Sequence, residues 1–327
     1  FECDRCHAAA PLFAAAPPER SCVGCHQQIL RGELDYRYLP GRVSGWKRHL
    51  HRIVETPSLE GLSERVTRRW FVQLLLDPSD VRPGLPAEMP RLPITEADAQ
   101  ALADVFGLVD PAPAALTGDP SRGRALLEAR CAPCHAADPL AIDLGRVHER
   151  SAPQQVDRWL AGPAAVAPGT RMPDPGLDPA ARADVVAALF VDPPAPAPRP
   201  ASAAPVAVDR PVGWDEVNAA VFHEVCRHCH ADPAPVGGDG GPGNTGGFGY
   251  AGAGLDLSTE AAASSRLDLL TPDPTGAVPL VEHLWARHRE VAGDPGPVLG
   301  MPLGLPPLPP ERIALVEAWA RSATSAR

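Results

Sequence analysis

Eight cysteines occur in this chain, and all eight fall in four copies of one pentad, Cys-x-x-Cys-His. The copies are Cys3-Asp-Arg-Cys6-His7, Cys22-Val-Gly-Cys25-His26, Cys131-Ala-Pro-Cys134-His135 and Cys226-Arg-His-Cys229-His230. Two thiols at this spacing can add across the two vinyl groups of a haem, and the adjacent imidazole can reach its iron from one side. The expectation is four covalently attached haem c groups, numbered here in pentad order. Cys3, Cys6, Cys22, Cys25, Cys131, Cys134, Cys226 and Cys229 would hold them, with His7, His26, His135 and His230 as the proximal ligands. With no cysteine left over, a disulfide, a nucleophilic thiol or a cysteine-ligated zinc is not expected.

The remaining axial ligands are sought among soft or aromatic nitrogen donors. The chain has 3 methionines, Met89, Met172 and Met301, and each is followed by proline. One falls after each of the Cys22, Cys131 and Cys226 pentads. A thioether suits a low-spin haem iron and raises its reduction potential. The proline fixes the local backbone and removes an N–H, as suits a loop pressed on a flat ring. A single methionine is ordinarily a filler of core gaps. One in each segment, in a chain that uses the residue nowhere else, points instead to ligands: Met89 for haem 2, Met172 for haem 3 and Met301 for haem 4. Haem 1 is left without one. In Gly45–Val54, read as a helix, Trp46, Leu50, Ile53 and Val54 form the apolar face, with His49 on that side and His51 nearly opposite. His49 is the preferred second ligand of haem 1 and His51 the alternative; an open iron is the remaining case. His283 and His288, on an expected helix Pro279–Val291, are alternatives to Met301. His148 and His228 read as bland.

Positioning these groups requires helices before and after each pentad. Residues 121–130 and 214–225 are expected helices leading into the third and fourth. Thr95-Glu-Ala-Asp98 is a capping-box start, and Asp178-Pro179 an N-cap with proline in the first turn. The last helix is expected from Pro310 to Ser322, with Ile313, Val316, Trp319 and Ala320 on one face. An internal repeat relates 78–84 to 163–169; each copy follows a tryptophan (Trp70, Trp159) and precedes a Met-Pro pair. The order of helix, pentad, loops, Met-Pro and closing helix resembles class I cytochrome c. That resemblance implies a mainly α fold with extensive loops, in three tandem modules whose terminal helices cross at one haem edge. The modules would be 1–110 with haems 1 and 2, 119–192 with haem 3, and 213–327 with haem 4, the last joined by a Pro/Ala linker, 193–212. The first departs from the pattern, because Cys22 follows His7 by 15 positions and the Cys3 pentad takes the place of a leading helix.

The bulk composition agrees with such modules. Pro (41) and Gly (29) favour turns over long regular elements, and an aromatic content of 5% fits cores filled by porphyrin. The glycine-rich stretch 237–254 follows no expected strand and lacks the Lys-Ser/Thr ending of a phosphate loop, so it reads as a surface loop. A formal net charge of −10 disfavours nucleic acid and favours redox protein partners, including a membrane electron-transfer complex. No apolar run is long enough to span a bilayer. Starting at Phe1 without a signal pattern, the chain is expected to be a mature or truncated form, periplasmic or otherwise extracytoplasmic, with or without an anchor at the outer membrane face. The functional expectation is electron relay, as carrier or as subunit of a respiratory or photosynthetic assembly. The alternatives are a multihaem oxidoreductase or peroxidase with an open haem 1, and a polymerising cytochrome wire.

Overall fold

The computed structural model describes residues 3–7, 21–33, 47, 48, 50, 56–79, 82, 85, 87–112, 115–138, 140–227, 229–231 and 254–325. Among them the chain is helix and loop with no strand, a mainly α architecture. Two compact units form: 1–58 together with 201–327, and 59–200. Their boundaries fall at residue 59, inside the 1–110 segment, and at 200, inside the Pro/Ala stretch.

In the first unit, helix α1 (Cys22–Arg31) opens on the second pentad. Ser21 caps it by accepting from the Gly24 N–H at 3.0 Å, and Gly32, at φ +75°, closes it in the left-handed conformation.

The 59–200 unit begins with α2 (Arg68–Leu76), capped by Thr67, and α3 (Glu96–Val105). The Thr95–Asp98 capping box forms as its sequence predicts: Asp98 N–H donates to Thr95 Oγ1 at 3.2 Å, and Thr95 N–H to Asp98 Oδ2 at 3.0 Å. Phe71 of α2 meets Phe106 edge-on, with centroids 5.7 Å apart. Next, α4 (Pro120–Leu126) passes into a π-wound turn, Leu127–Cys131, which delivers the third pentad. Helix α5 (Pro153–Ala161) and α6 (Pro179–Val191) complete the unit, and Asp178 caps α6 at the expected position. α4 and α6 cross in contact. A Cβ at Gly123 would stand 1.9 Å from the Asp184 carbonyl oxygen, so only glycine permits this approach. Arg122 then holds the Asp184 carboxylate through two bonds of 2.8 and 3.0 Å, and Asp119 N–H adds a third at 2.7 Å.

Polar side chains join the α2 region to α5. Buried Gln155 donates to the carbonyls of Ser63 (2.8 Å) and Val66 (2.9 Å) while accepting from Ala152 N–H. Thr67 N–H donates to Arg150 O at 2.9 Å, and Ser151 Oγ to Arg65 O at 2.7 Å.

The remainder of the first unit is built around an aromatic cluster. A short helix, Trp214–Val217, continues as a π-wound segment, Asn218–Cys226, into the fourth pentad. Helices α7 (Pro279–Ala292) and α8 (Pro310–Ser325) follow. Trp214, Phe222 and Trp319 meet with centroids 5.2, 5.6 and 5.7 Å apart. Val217, Val221, Ile313 and Val316 pack around them. Ile313, Val316, Trp319 and Ala320 thus face the core as their spacing predicts.

The Pro/Ala stretch carries no helix or strand and is held at both ends. Ala197 N–H donates to the Asp143 carboxylate at 2.9 Å within the 59–200 unit, and Val212 is buried in the core of the first unit. Nearly all of 237–254, and both His49 and His51, lie outside the described residues. No helix among the described residues is long and apolar enough to cross a membrane.

Asp184 gives this fold a pH signature. The Arg122 guanidinium, and then the Asp119 N–H, hold its carboxyl below the usual carboxylate range. A depressed folded pKa contributes stability above the unfolded value, ~3.9, and loses it as pH falls through the folded value. Melting temperatures of the parent and Asp184→Asn should therefore differ above about pH 5 and converge in acid. Parallel melting-versus-pH curves would contradict this role.

Candidate functional site

A helical turn gathers the reactive groups of each pentad. In such a turn residues i, i+3 and i+4 share a face, which is the relation of the two cysteines and the histidine. The turn is visible as backbone bonds: His7 N–H donates to Cys3 O, and His230 N–H to Cys226 O, each at 2.8 Å. In the second pentad the turn is the start of α1. In the third it is the short helix Ala132–His135, with Cys131 closing the π-wound turn before it. The fourth is also fed by i→i+5 winding, since Arg227 N–H donates to Phe222 O at 2.9 Å.

No disulfide joins any of the eight cysteines. Burial pushes up the thiols of Cys3 and Cys131, and burial with the neighbouring Cys229 pushes Cys226 up to about 12. Cys6 is raised first by its hydrogen bond to Cys22 and then by burial, so the first two pentads adjoin within one unit. At Cys3, Cys6, Cys131 and Cys226 these surroundings favour the neutral thiol over a nucleophilic thiolate.

Two of the imidazoles are fixed in the same way. His7 Nδ1 bonds the Pro57 carbonyl at 2.8 Å, and His135 Nδ1 bonds the Ile142 carbonyl at 2.9 Å. With Nδ1 carrying the proton, Nε2 keeps its lone pair for a metal. Burial also lowers the pKa of His7, which favours the neutral, ligating form.

The candidate methionines occupy three loops. Met172 packs on the core formed by Leu127, Val147, Val156 and Val185, as does Cys131. Its N–H donates to Thr170 Oγ1 at 3.3 Å, and its sulfur accepts from the indole N–H of Trp159 at 2.8 Å. Met301 packs on the core of the first unit, as does Cys226. Met89 belongs to the 59–200 unit and His26 to the other, so each is placed within its own unit.

Helix α7 grips the Met301 loop. Met301 N–H donates to His283 O, and His283 Nδ1 bonds Leu299 O, both at 2.8 Å. Buried Arg287 bonds Leu305 O at 2.8 Å and Glu290 at 3.2 Å, while Glu290 accepts from Gly300 N–H at 2.7 Å. A Cβ at Gly300 would stand 2.6 Å from Arg287 Cα, so the loop lies directly on the helix. His288 engages Leu308 O through Nε2 at 2.8 Å.

The roles of Trp159, Gln155, Arg287 and Glu290 were not legible beforehand. Trp159 marks an amphipathic stretch in the sequence, and nothing local signals where its N–H points. Arg287 and Glu290 look like surface charges until their i, i+3 spacing is set beside Leu284 and His288, which are buried on the same helix. Nothing local in the sequence signals the setting of Arg150 either. Its guanidinium lies 5.4 Å from the Trp70 ring, and its Nε is buried without a hydrogen-bond partner among the described residues. Burial lowers its pKa to about 10.

Against known proteins, no family model, no curated protein and no solved structure matches this chain.

The grip on the Met301 loop is testable. Glu290→Ala strands buried Arg287 without its carboxylate, which should cost about 3 kcal/mol of stability. Denaturant unfolding of the variant checks the cost, and faster hydrogen exchange at the Gly300 amide checks the released loop. An unchanged unfolding midpoint would contradict the arrangement.

Proposed function

We propose that this chain is a tetrahaem c-type cytochrome, built from modules of the class I kind, that relays electrons between redox partners outside the cytoplasm. The observation that carries the reading is the complete use of eight cysteines in four Cys-x-x-Cys-His pentads. The residues present fit four haems in three further respects. Each pentad lies on or beside a helical turn that brings its thiols and imidazole to one face. The Nδ1 bonds of His7 and His135 direct Nε2 toward a metal. Arg150 Nε and His148 Nδ1, on one turn and without a hydrogen-bond partner among the described residues, are groups that a haem propionate would satisfy.

The haem, when bound, supplies one-electron iron chemistry. The protein's part is to hold and tune it. The eight pentad cysteines would hold the rings through thioethers, and His7, His26, His135 and His230 would ligate the irons. Met89, Met172 and Met301 are the proposed opposing ligands of haems 2, 3 and 4, and His49, or alternatively His51, that of haem 1. A site with two imidazoles favours ferric iron more than one with a thioether, so haem 1 should have the lowest potential. Irons ligated by both of these residue sets would leave no position for a substrate, which favours electron transfer over oxidoreductase or peroxidase chemistry. The acidic surface suits complementary protein partners.

Ligand replacement tests the assignment. Met172→Ala should lower one midpoint potential, or convert one haem to high spin, and leave the other three unchanged. In the parent, the ferric spectrum should be fully low-spin and slow to bind cyanide. A substantial high-spin fraction that binds cyanide rapidly would favour the open-haem enzyme. A titration unmoved by Met172→Ala would refute the ligand assignment.

A further inference from the structure

The three candidate methionine ligands differ in what touches their sulfur. Met172 Sδ accepts a hydrogen bond from Trp159 Nε1 at 2.8 Å. Among the described residues no such bond reaches the sulfur of Met89 or Met301. The ring of Trp70, the repeat partner of Trp159, lies against the Arg150 guanidinium instead. Trp159 is firmly placed for its task. It lies on α5, whose first turn is tied by Gln155 and whose Val156 and Leu160 are buried in the core that Met172 joins. The Met172 N–H bond to Thr170 fixes the other end of the residue.

An N–H aimed at a thioether draws electron density from the sulfur. Ferric iron depends on that density more than ferrous iron does, and hydrogen bonds to ligand sulfur are a recognised lever on potential. We infer that Trp159 is a positioning residue for the Met172 ligand, and that its hydrogen bond makes haem 3 the site of highest potential among the four. This rests on the tetrahaem reading. It also orders the methionine-ligated sites, which share one ligand type and would otherwise be alike.

The test is a redox titration of the full chain with its haems attached, comparing the parent with Trp159→Phe. This change keeps a ring in the core and removes the N–H. The highest midpoint should fall so that the ferric-to-ferrous ratio at fixed solution potential rises about tenfold, the equivalent of about 59 mV for a one-electron couple. All haems should stay low-spin, which separates a tuned ligand from a lost one. The midpoint that moves should be the one sensitive to Met172→Ala, and Trp70→Phe should leave it in place. The inference is overturned if Trp159→Phe leaves that midpoint unmoved, or if the midpoint sensitive to Met172→Ala is not the highest. Both of those outcomes leave the tetrahaem reading standing. A purified chain without covalent haem would overturn the reading and the inference together.

Discussion

One helical turn per pentad is the constraint on which the arrangement depends. Without it, two thiols and an imidazole in neighbouring positions would point in different directions. With it, they share a face. The bonds from His7 N–H to Cys3 O and from His230 N–H to Cys226 O are the visible form of that constraint. Much of the surrounding structure serves to fix these turns. Ser21 starts α1 at the second pentad, and π-wound turns carry the chain into the third and fourth.

Each unit then packs the segment leading into a pentad against a later helix. In the 59–200 unit α4 crosses α6 at the Gly123 contact, and the Arg122–Asp184 pair locks the crossing. In the other unit Trp214 and Phe222 pack on Trp319 of α8. The methionine loops are secured by different means. Met172 is held through Thr170 and Trp159, while Met301 lies in a loop gripped by His283, Arg287 and Glu290. In the proposed reading these differences matter, because sites with the same two ligands acquire different potentials through their neighbours.

Local signals in the sequence were reliable wherever the physics is local. The Thr95–Asp98 box, the Asp178-Pro179 start, the Pro279 helix and the buried face of α8 all depend on residues within a turn or two of one another. The pentads are legible for the same reason. The i→i+5 winding at Leu127–Cys131 and Asn218–Cys226 was not, since its apolar spacing resembles that of an α-helix. Contacts far apart in sequence were also hidden. Gln155 bridging to Ser63 and Val66, and Arg287 reaching Leu305, leave no trace in neighbouring residues. His49, the residue preferred for haem 1, lies outside the described residues.

In the proposed reading every cysteine of this chain is a haem attachment point. Intact mass of the mature protein, combined with pyridine-haemochrome quantification and thiol titration under denaturing conditions, tests it directly. Four haems per chain, retained after acid–acetone extraction, and no titratable thiol are expected. Three haems or fewer, or free thiols in the fully matured protein, would contradict it.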